Sequence, residues 1–288
     1  MVPMSGLRKS LAALAALRSR FEGLLAAARR SLPGGATDFS ESAPPLHELV
    51  GFGSNPGNLR MLAYAPEHLP SPPPLVVALH GCGQSAAEYN HGTGWATLAD
   101  RFGFVVVFPE QRQGNNPKTC FSWFLPGDIA RDQGEALSIH QMVEHAIANF
   151  GVDRRRVFVT GLSAGGAMAS VMLATYPEVY AGGAIIAGLP YGSAGSVQEA
   201  FEAMFSERSP SAGTLGDRVR AATRHRGPWP KIAVWHGSAD PIVKPSNAEH
   251  IVRQWVNVHG LATAPTRSEL IGRHTRRIWN DANGSALI

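Results

Sequence analysis

Short, nearly continuous apolar runs recur along the chain at 75–79, 104–108, 157–160, 183–187 and 232–235. Runs this short without polar alternation predict strands buried on both faces. A further run, LRMLAYAP at 59–66, follows the turn-prone GFGSNPGN, and the SPPP at 71–74 leads into the strand at 75–79. Between the runs, apolar positions recur at helical spacing over 129–150, 165–176 and 246–259. Strands alternating with helices predict an α/β domain, a mostly parallel central sheet with helices on both faces. The Gly-, Ser- and Arg-rich stretch at 191–229 reads as an insertion near the mouth of a site, with one helix at 197–205. No internal repeat is present in the sequence.

The first 32 residues follow a different pattern. Leu11, Leu14, Leu17, Leu24 and Leu25 lie among Ala and Arg at helical spacing, which predicts an N-terminal amphipathic helical extension. Arg18, Arg20 and Glu22 interrupt its apolar stretch, so it lacks the core of a secretory signal. Residues 33–45, rich in Gly, Ala, Ser, Thr and Pro, read as a linker, and 46–288 as a single globular domain. At 288 residues and 44% hydrophobic side chains, the chain suffices for one such core and is too short for two. Its net charge of +4 comes from that arm, which holds six bases and one acid; the remainder carries 20 bases against 21 acids. This balance argues against nucleic-acid binding, and no segment approaches the roughly 20 apolar residues of a transmembrane span.

The candidate chemistry centres on Gly161-Leu162-Ser163-Ala164-Gly165. A strand precedes it and a small-residue helix follows, so the serine sits on a sharp strand-to-helix turn that needs glycine where backbones pass closely. This context resembles the nucleophile elbow of the α/β-hydrolase fold, with Ser163 as nucleophile. In that fold the loop after the strand at 75–79, here His80-Gly81-Cys82-Gly83-Gln84, supplies an oxyanion-hole amide. Cys82 and Ala164 are the candidate donors, and His80 is read as ordering the loop. Asp240 ends the strand-to-turn segment at 232–240 before Pro241, where active-site groups of open parallel sheets gather, although Asp-Pro is also a common turn signal. The chain order Ser then Asp agrees with that fold. The two cysteines, Cys82 and Cys120, either pair or stay reduced. There is no metal cluster, nucleotide-binding loop or cofactor motif, and GLSAGG lacks the Lys and Ser/Thr of a phosphate loop.

Five segments together resemble the polyhydroxybutyrate depolymerase family of esterases, itself similar to feruloyl and acetylxylan esterases. They are LHGCGQ at 79–84, CFSWF at 120–124, VTGLSAGGAM at 159–168, ATYPEVYAGGAIIAGLPYG at 174–192 and WHGSAD at 235–240. The resemblance implies hydrolysis of hydroxyacid oligomers or aryl-acid esters through an acyl-enzyme. It also implies a disulfide between Cys82 and Cys120 that ties the oxyanion loop to the CFSWF loop. Trp123 and Tyr191 are read as packing residues that also stand as candidates for the acyl site. A secreted protein is implied as well, whereas the N-terminal segment favours the cytosol.

The pattern departs from the family at the histidine, which relatives carry in a Gly-x-Gly-His loop near the end of the domain. Here the tail, with a turn at 281–284 followed by Ser285-Ala286-Leu287-Ile288, predicts a hairpin cut off in its second strand, pairing 274–280 with 285–288. The histidine is therefore expected beyond Ile288, with His274 as the substitute inside the chain. The rival functions are a feruloyl or acetylxylan esterase and, in another class, a non-catalytic ligand-binding protein on the same fold.

Overall fold

The computed structural model describes residues 43–206 and 210–288. The helix expected at 1–32 and most of the linker expected at 33–45 lie outside the described residues. The first strand, β1 (His47–Leu49), is followed by β2 (Arg60–Tyr64), β3 (Leu75–Leu79), β4 (Val105–Glu110), β5 (Val157–Leu162), β6 (Gly182–Ile186) and β7 (Lys231–Trp235). They form one sheet in the order β1-β2-β4-β3-β5-β6-β7. Strands β4, β3, β5, β6 and β7 run parallel, while β1 and β2 add antiparallel pairs at one edge.

The pleat divides the core into two layers. Leu75, Val77, Leu79, Val105, Val107, Val157 and Val159 face one side, and Val76, Ala78, Val106, Phe108 and Leu62 face the other. The second side is covered by α1 (Ala86–Thr93) and α2 (Trp95–Phe102), through Tyr89 and Ala99. Helix α1 starts cleanly because Ser85 and Glu88 form a reciprocal capping box. After a short turn of helix, α3 (Pro126–Ile129), the first side is covered by α4 (Gly134–Phe150) and α5 (Ala164–Thr175).

The periodicity at 129–150 is thus broken at its start, since α4 begins at Gly134. Asp132 and Gly134 both have positive φ, 64° and 47°, and redirect the chain between α3 and α4. Only glycine fits at 134, where a Cβ would stand 2.4 Å from Asp128 Oδ1 and from the Gly127 carbonyl oxygen.

The insertion contains the expected helix, α6 (Val197–Phe205), and a further one, α7 (Ala212–Ala221). Both lie near α8 (Ser246–His259), whose fully buried Gln254 accepts from the Tyr191 amide and donates to the carbonyls of Tyr191 and Leu215. One buried side chain thereby ties the start of the insertion to the helix in its middle.

The expected hairpin is present next to its turn, where Asn280 bridges Ala286 antiparallel and Trp279 bonds Leu287 and Ile288, and is corrected farther from it. Residues 274–278 form β9 (His274–Ile278), which pairs with β8 (Arg267–Ile271) in a separate two-stranded sheet. RSELI has no apolar face and is largely exposed, so periodicity does not mark it as a strand. The turn at 281–284 is present, with Asp281 Oδ1 accepting from the amides of Asn283 and Ser285. The residues after it fold back on Trp279, and the Leu287 carbonyl accepts from Ile232 at the edge of β7.

Trp255 on α8 is fully buried in the main core, edge-on to Trp229 at 6.3 Å. Trp255→Ala is expected to cost about 3–5 kcal/mol of stability in chemical denaturation.

Candidate active site

The site is built where β5 turns into α5. Ser163 has φ 56° and ψ −117°, a conformation few non-glycine residues adopt, at a cost of roughly 1–3 kcal/mol. Its backbone is held on both sides, because its amide donates to the Ile186 carbonyl at 2.9 Å and its carbonyl accepts from Ala167 at 2.9 Å. The turn is tight enough to exclude side chains. A Cβ on Gly161 would stand 2.2 Å from the Gly165 carbonyl oxygen, and one on Gly165 would stand 2.2 Å from the Leu79 carbonyl oxygen and 2.5 Å from that of His80.

These contacts bring the first turn of α5 against the end of β3 and hence against the loop at 80–84. A Cβ on Gly81 would lie 3.7 Å from Ser163 Cβ, so the loop runs beside the serine. The loop is anchored from the other side as well. Cys82 is disulfide-bonded to Cys120, Gly83 donates its amide to the Lys118 carbonyl at 2.7 Å, and Thr119 Oγ1 donates to the Gln84 carbonyl at 3.3 Å. Among the described residues, the amides of Cys82 and Ala164 bond no acceptor. Ala164 also opens α5, whose N-terminal dipole end favours negative charge.

His80 is fully buried and both its ring nitrogens are engaged. The Gln111 amide donates to Nε2 at 3.1 Å, which places the proton on Nδ1, and Nδ1 donates to the Gly81 carbonyl at 2.8 Å. Burial outweighs that carbonyl and the acidic neighbours, so the imidazole pKa is lowered and the neutral ring is favoured. It leaves no nitrogen for a substrate.

Asp240 lies in the loop after β7. Its Oδ1 accepts from the amides of Ile242 at 2.8 Å and Val243 at 3.0 Å, which is the turn chemistry expected before Pro241. Oδ2 is 3.4 Å from His236 Nε2, which also donates to the Val243 carbonyl at 2.8 Å. Burial by itself would raise the Asp240 pKa, but the His236 contact and the two amides outweigh it and hold the carboxyl low. For His236, burial pulls the pKa down, and Asp240 and the Val243 carbonyl outweigh it and raise it.

No histidine nitrogen hydrogen-bonds Ser163 among the described residues. His236 Nδ1 is buried without a partner, and His274 stands exposed opposite Ile271 at the tip of the β8–β9 hairpin. Trp123 is only 6% exposed and packs in the main core, edge-on to Phe124. Tyr191 is half-buried against the same core. A surface depression of about 730 Å³ is lined by Leu125, Pro126, Asp128 and Leu137 among others, and by none of the candidate site residues.

The residues that sequence reasoning passes over are Gln111 and Glu135, both buried behind the loop at 80–84. Burial, aided by nearby Asp128, pushes the Glu135 carboxyl up to about 7 against the bonds it receives from Ser122 and Gln111. GEAL at 134–137 reads simply as the polar start of a helix, so no local signal marks the acid as buried.

The Asp240–His236 contact has a definite pH signature. The raised His236 pKa contributes stability that is complete below the ordinary histidine value and is lost as pH rises through the folded value. The lowered Asp240 pKa contributes stability that is complete above the ordinary Asp value and is lost as pH falls through the folded one. The stability lost in Asp240→Asn is therefore expected to be larger at pH 5.5–6 than at pH 9, read by urea unfolding across that range.

Comparison with known proteins finds esterases. Poly(3-hydroxyalkanoate) depolymerase C of Paucimonas lemoignei is 47% identical over 250 residues, covering 86% of this chain and 60% of that protein. Feruloyl esterase B of Talaromyces stipitatus is 32% identical over 251 residues, covering 84% of this chain and 69% of that protein. The chain thus spans about three fifths of the depolymerase and somewhat over two thirds of the feruloyl esterase. Among solved structures, an acetyl xylan esterase from Aspergillus awamori superposes with a TM-score of 0.74 at 29% identity, covering 78% of this chain and 84% of the other. The family described as Esterase PHB depolymerase matches residues 62–276, and with its α/β-hydrolase sheet and serine elbow the chain belongs to that family.

Proposed function

We propose that the chain is a serine carboxylic-ester hydrolase acting through an acyl-enzyme on polyhydroxybutyrate-type or other short-chain hydroxyacid esters. The observation that carries this reading is the strained Ser163 elbow, seated beside a loop whose Cys82 amide is free of any acceptor among the described residues. Ser163 Oγ attacks the ester carbonyl, the carbonyl oxygen takes the negative charge, and the alcohol departs with a proton. The amides of Cys82 and Ala164 stabilise that oxyanion, at roughly 3 kcal/mol per donor. Water then attacks the acyl-serine and releases the acid. Asp240 is the carboxylate that orients and stabilises an imidazolium. The substrate class follows from the 47% identity to the depolymerase.

Because no histidine bonds Ser163 among the described residues, turnover by the chain as it stands is expected to be far below that of a full triad. Weak hydrolysis of p-nitrophenyl butyrate that is abolished in Ser163→Ala, with fluorophosphonate labelling at Ser163, is the expected result. Equal rates in wild type and Ser163→Ala would sink the reading, and an unlabelled Ser163 would support a non-catalytic binding protein instead. His274→Ala is expected to leave the rate unchanged; a rate that vanishes assigns the base to His274.

The second reading is a feruloyl or acetylxylan esterase with the same chemistry, favoured by the relatives at 32% and 29% identity. A panel of 3-hydroxybutyrate oligomers, feruloyl esters and acetylated xylan separates the two. Preference for the hydroxybutyrate oligomers is the expected outcome.

A further inference from the structure

Behind the loop at 80–84 lies a closed circuit of buried groups. His80, Gln111 and Glu135 are 0%, 3% and 2% exposed. The Gln111 amide donates to His80 Nε2 at 3.1 Å, and His80 Nδ1 donates to the Gly81 carbonyl at 2.8 Å. From the same residue, the side-chain amide of Gln111 donates to the Cys120 carbonyl at 3.2 Å, and Cys120 is disulfide-bonded to Cys82. The circuit therefore runs from Gly81 through His80, Gln111 and Cys120 back to Cys82, and it encloses the Gly81–Cys82 peptide.

A trans peptide is planar, and its C=O and N–H point in opposite directions. Fixing the Gly81 carbonyl toward His80 and the Gln84 amide, 3.3 Å away, consequently fixes the direction of the Cys82 N–H. The Gln111 side chain is itself held from behind. Its Nε2 donates to Glu135 Oε1 at 2.5 Å, while Glu135 Oε2 accepts from the Ser122 amide at 2.8 Å. Its Oε1 accepts from the Arg112 amide at 2.9 Å and from Asn115 Nδ2 at 2.7 Å. Glu135 thus joins the first turn of α4 both to Gln111 and to the CFSWF loop. A buried carboxylate without a cationic partner is a costly way to stabilise a fold, and an apolar side chain would do that better.

We propose that Gln111 and Glu135 are positioning residues for ester hydrolysis, holding the Cys82 amide in line with the Ser163 oxyanion through His80 and Cys120. This rests on the reading of that amide as an oxyanion donor. Neither residue touches substrate. Their effect is on the transition state alone, because the oxyanion exists only there, so substrate binding stays as it is.

The test uses the full chain, ¹⁵N-labelled, with variants Glu135→Gln, Gln111→Glu and the double exchange. Each single variant sets two donors or two carboxylates against one another, whereas the exchange restores one amide–carboxylate pair and the acceptor for Ser122. The single variants are expected to lower kcat on p-nitrophenyl butyrate by about 10- to 100-fold. KM should stay within about twofold, the Cys82 amide resonance should shift, and the exchange, which restores the bond between positions 111 and 135 but not the one to the Cys120 carbonyl, should regain part of the lost kcat and stay below wild type. Folded single variants with unchanged kcat, or with kcat and KM altered together, overturn the proposal. If Glu135→Gln fails to fold, Gln111→Asn, which only shortens the reach to Glu135, is read in the same way. If Ser163→Ala hydrolyses as fast as wild type, the esterase reading has failed, and the Cys82 resonance decides: a shift in the single variants keeps the positioning of that amide, and an unmoved signal overturns it.

Discussion

The contact on which the rest of the site depends is backbone against backbone, where the first turn of α5 lies on the end of β3. Gly165 meets the Leu79 carbonyl so closely that a methyl group would stand at 2.2 Å from it. This approach is what lets β5 turn directly into α5 and throws Ser163 into a positive φ. It also sets the loop at 80–84 beside the serine, because that loop is the continuation of the strand the helix touches. The strain at Ser163 is offset by its bonds to Ile186 and Ala167 and by the parallel pairing of β3 with β5 down to Leu79 and Gly161. A fold that relaxed this contact would lose the serine's presentation and its proximity to the loop at 80–84 together.

Around that contact the protein uses polar groups in places where a core would ordinarily be apolar. His80, Gln111 and Glu135 have their polar atoms bonded, so each is buried without an orphaned group. The disulfide between Cys82 and Cys120 closes a loop of separation 38, worth about 4 kcal/mol in chain entropy. It joins the two loops that leave the carboxyl ends of β3 and β4. Rigidity is thus concentrated at the carboxyl end of the sheet, beside Ser163. Asp240 is held more locally, since it closes its own turn through Ile242 and Val243 and carries His236 with it.

Much of this is legible in the amino-acid pattern. The five apolar runs all form parallel strands, and Gly-x-Ser-x-Gly between a strand and a small-residue helix marks the elbow. These features are local: burial on both faces of a strand forces an apolar run, and a tight turn forces glycine, so each leaves its mark within a few residues. The break at 132–134, the helix at 212–221 and the hairpin at 267–278 are not visible in the same way. Each is held by partners far along the chain or lies on the surface, where a pattern of burial has nothing to record. RSELI pairs through its backbone and one cross-strand ion pair, Glu269 with Arg276, and α7 is tied down by Gln254 across 39 residues.

The amino-acid sequence by itself determined the class of fold, the strand-to-helix turn that presents Ser163, and the family to which the chain belongs, because these rest on short-range periodicity and on residues that only one local geometry admits. Tertiary structure alone decided which hydrogen bonds hold the loop at 80–84, which carboxylate is buried behind it, and which imidazole stands against Asp240. Those depend on groups from separate strands and loops converging in space, and a hydrogen bond between positions 111 and 135 imposes no pattern on the residues between them.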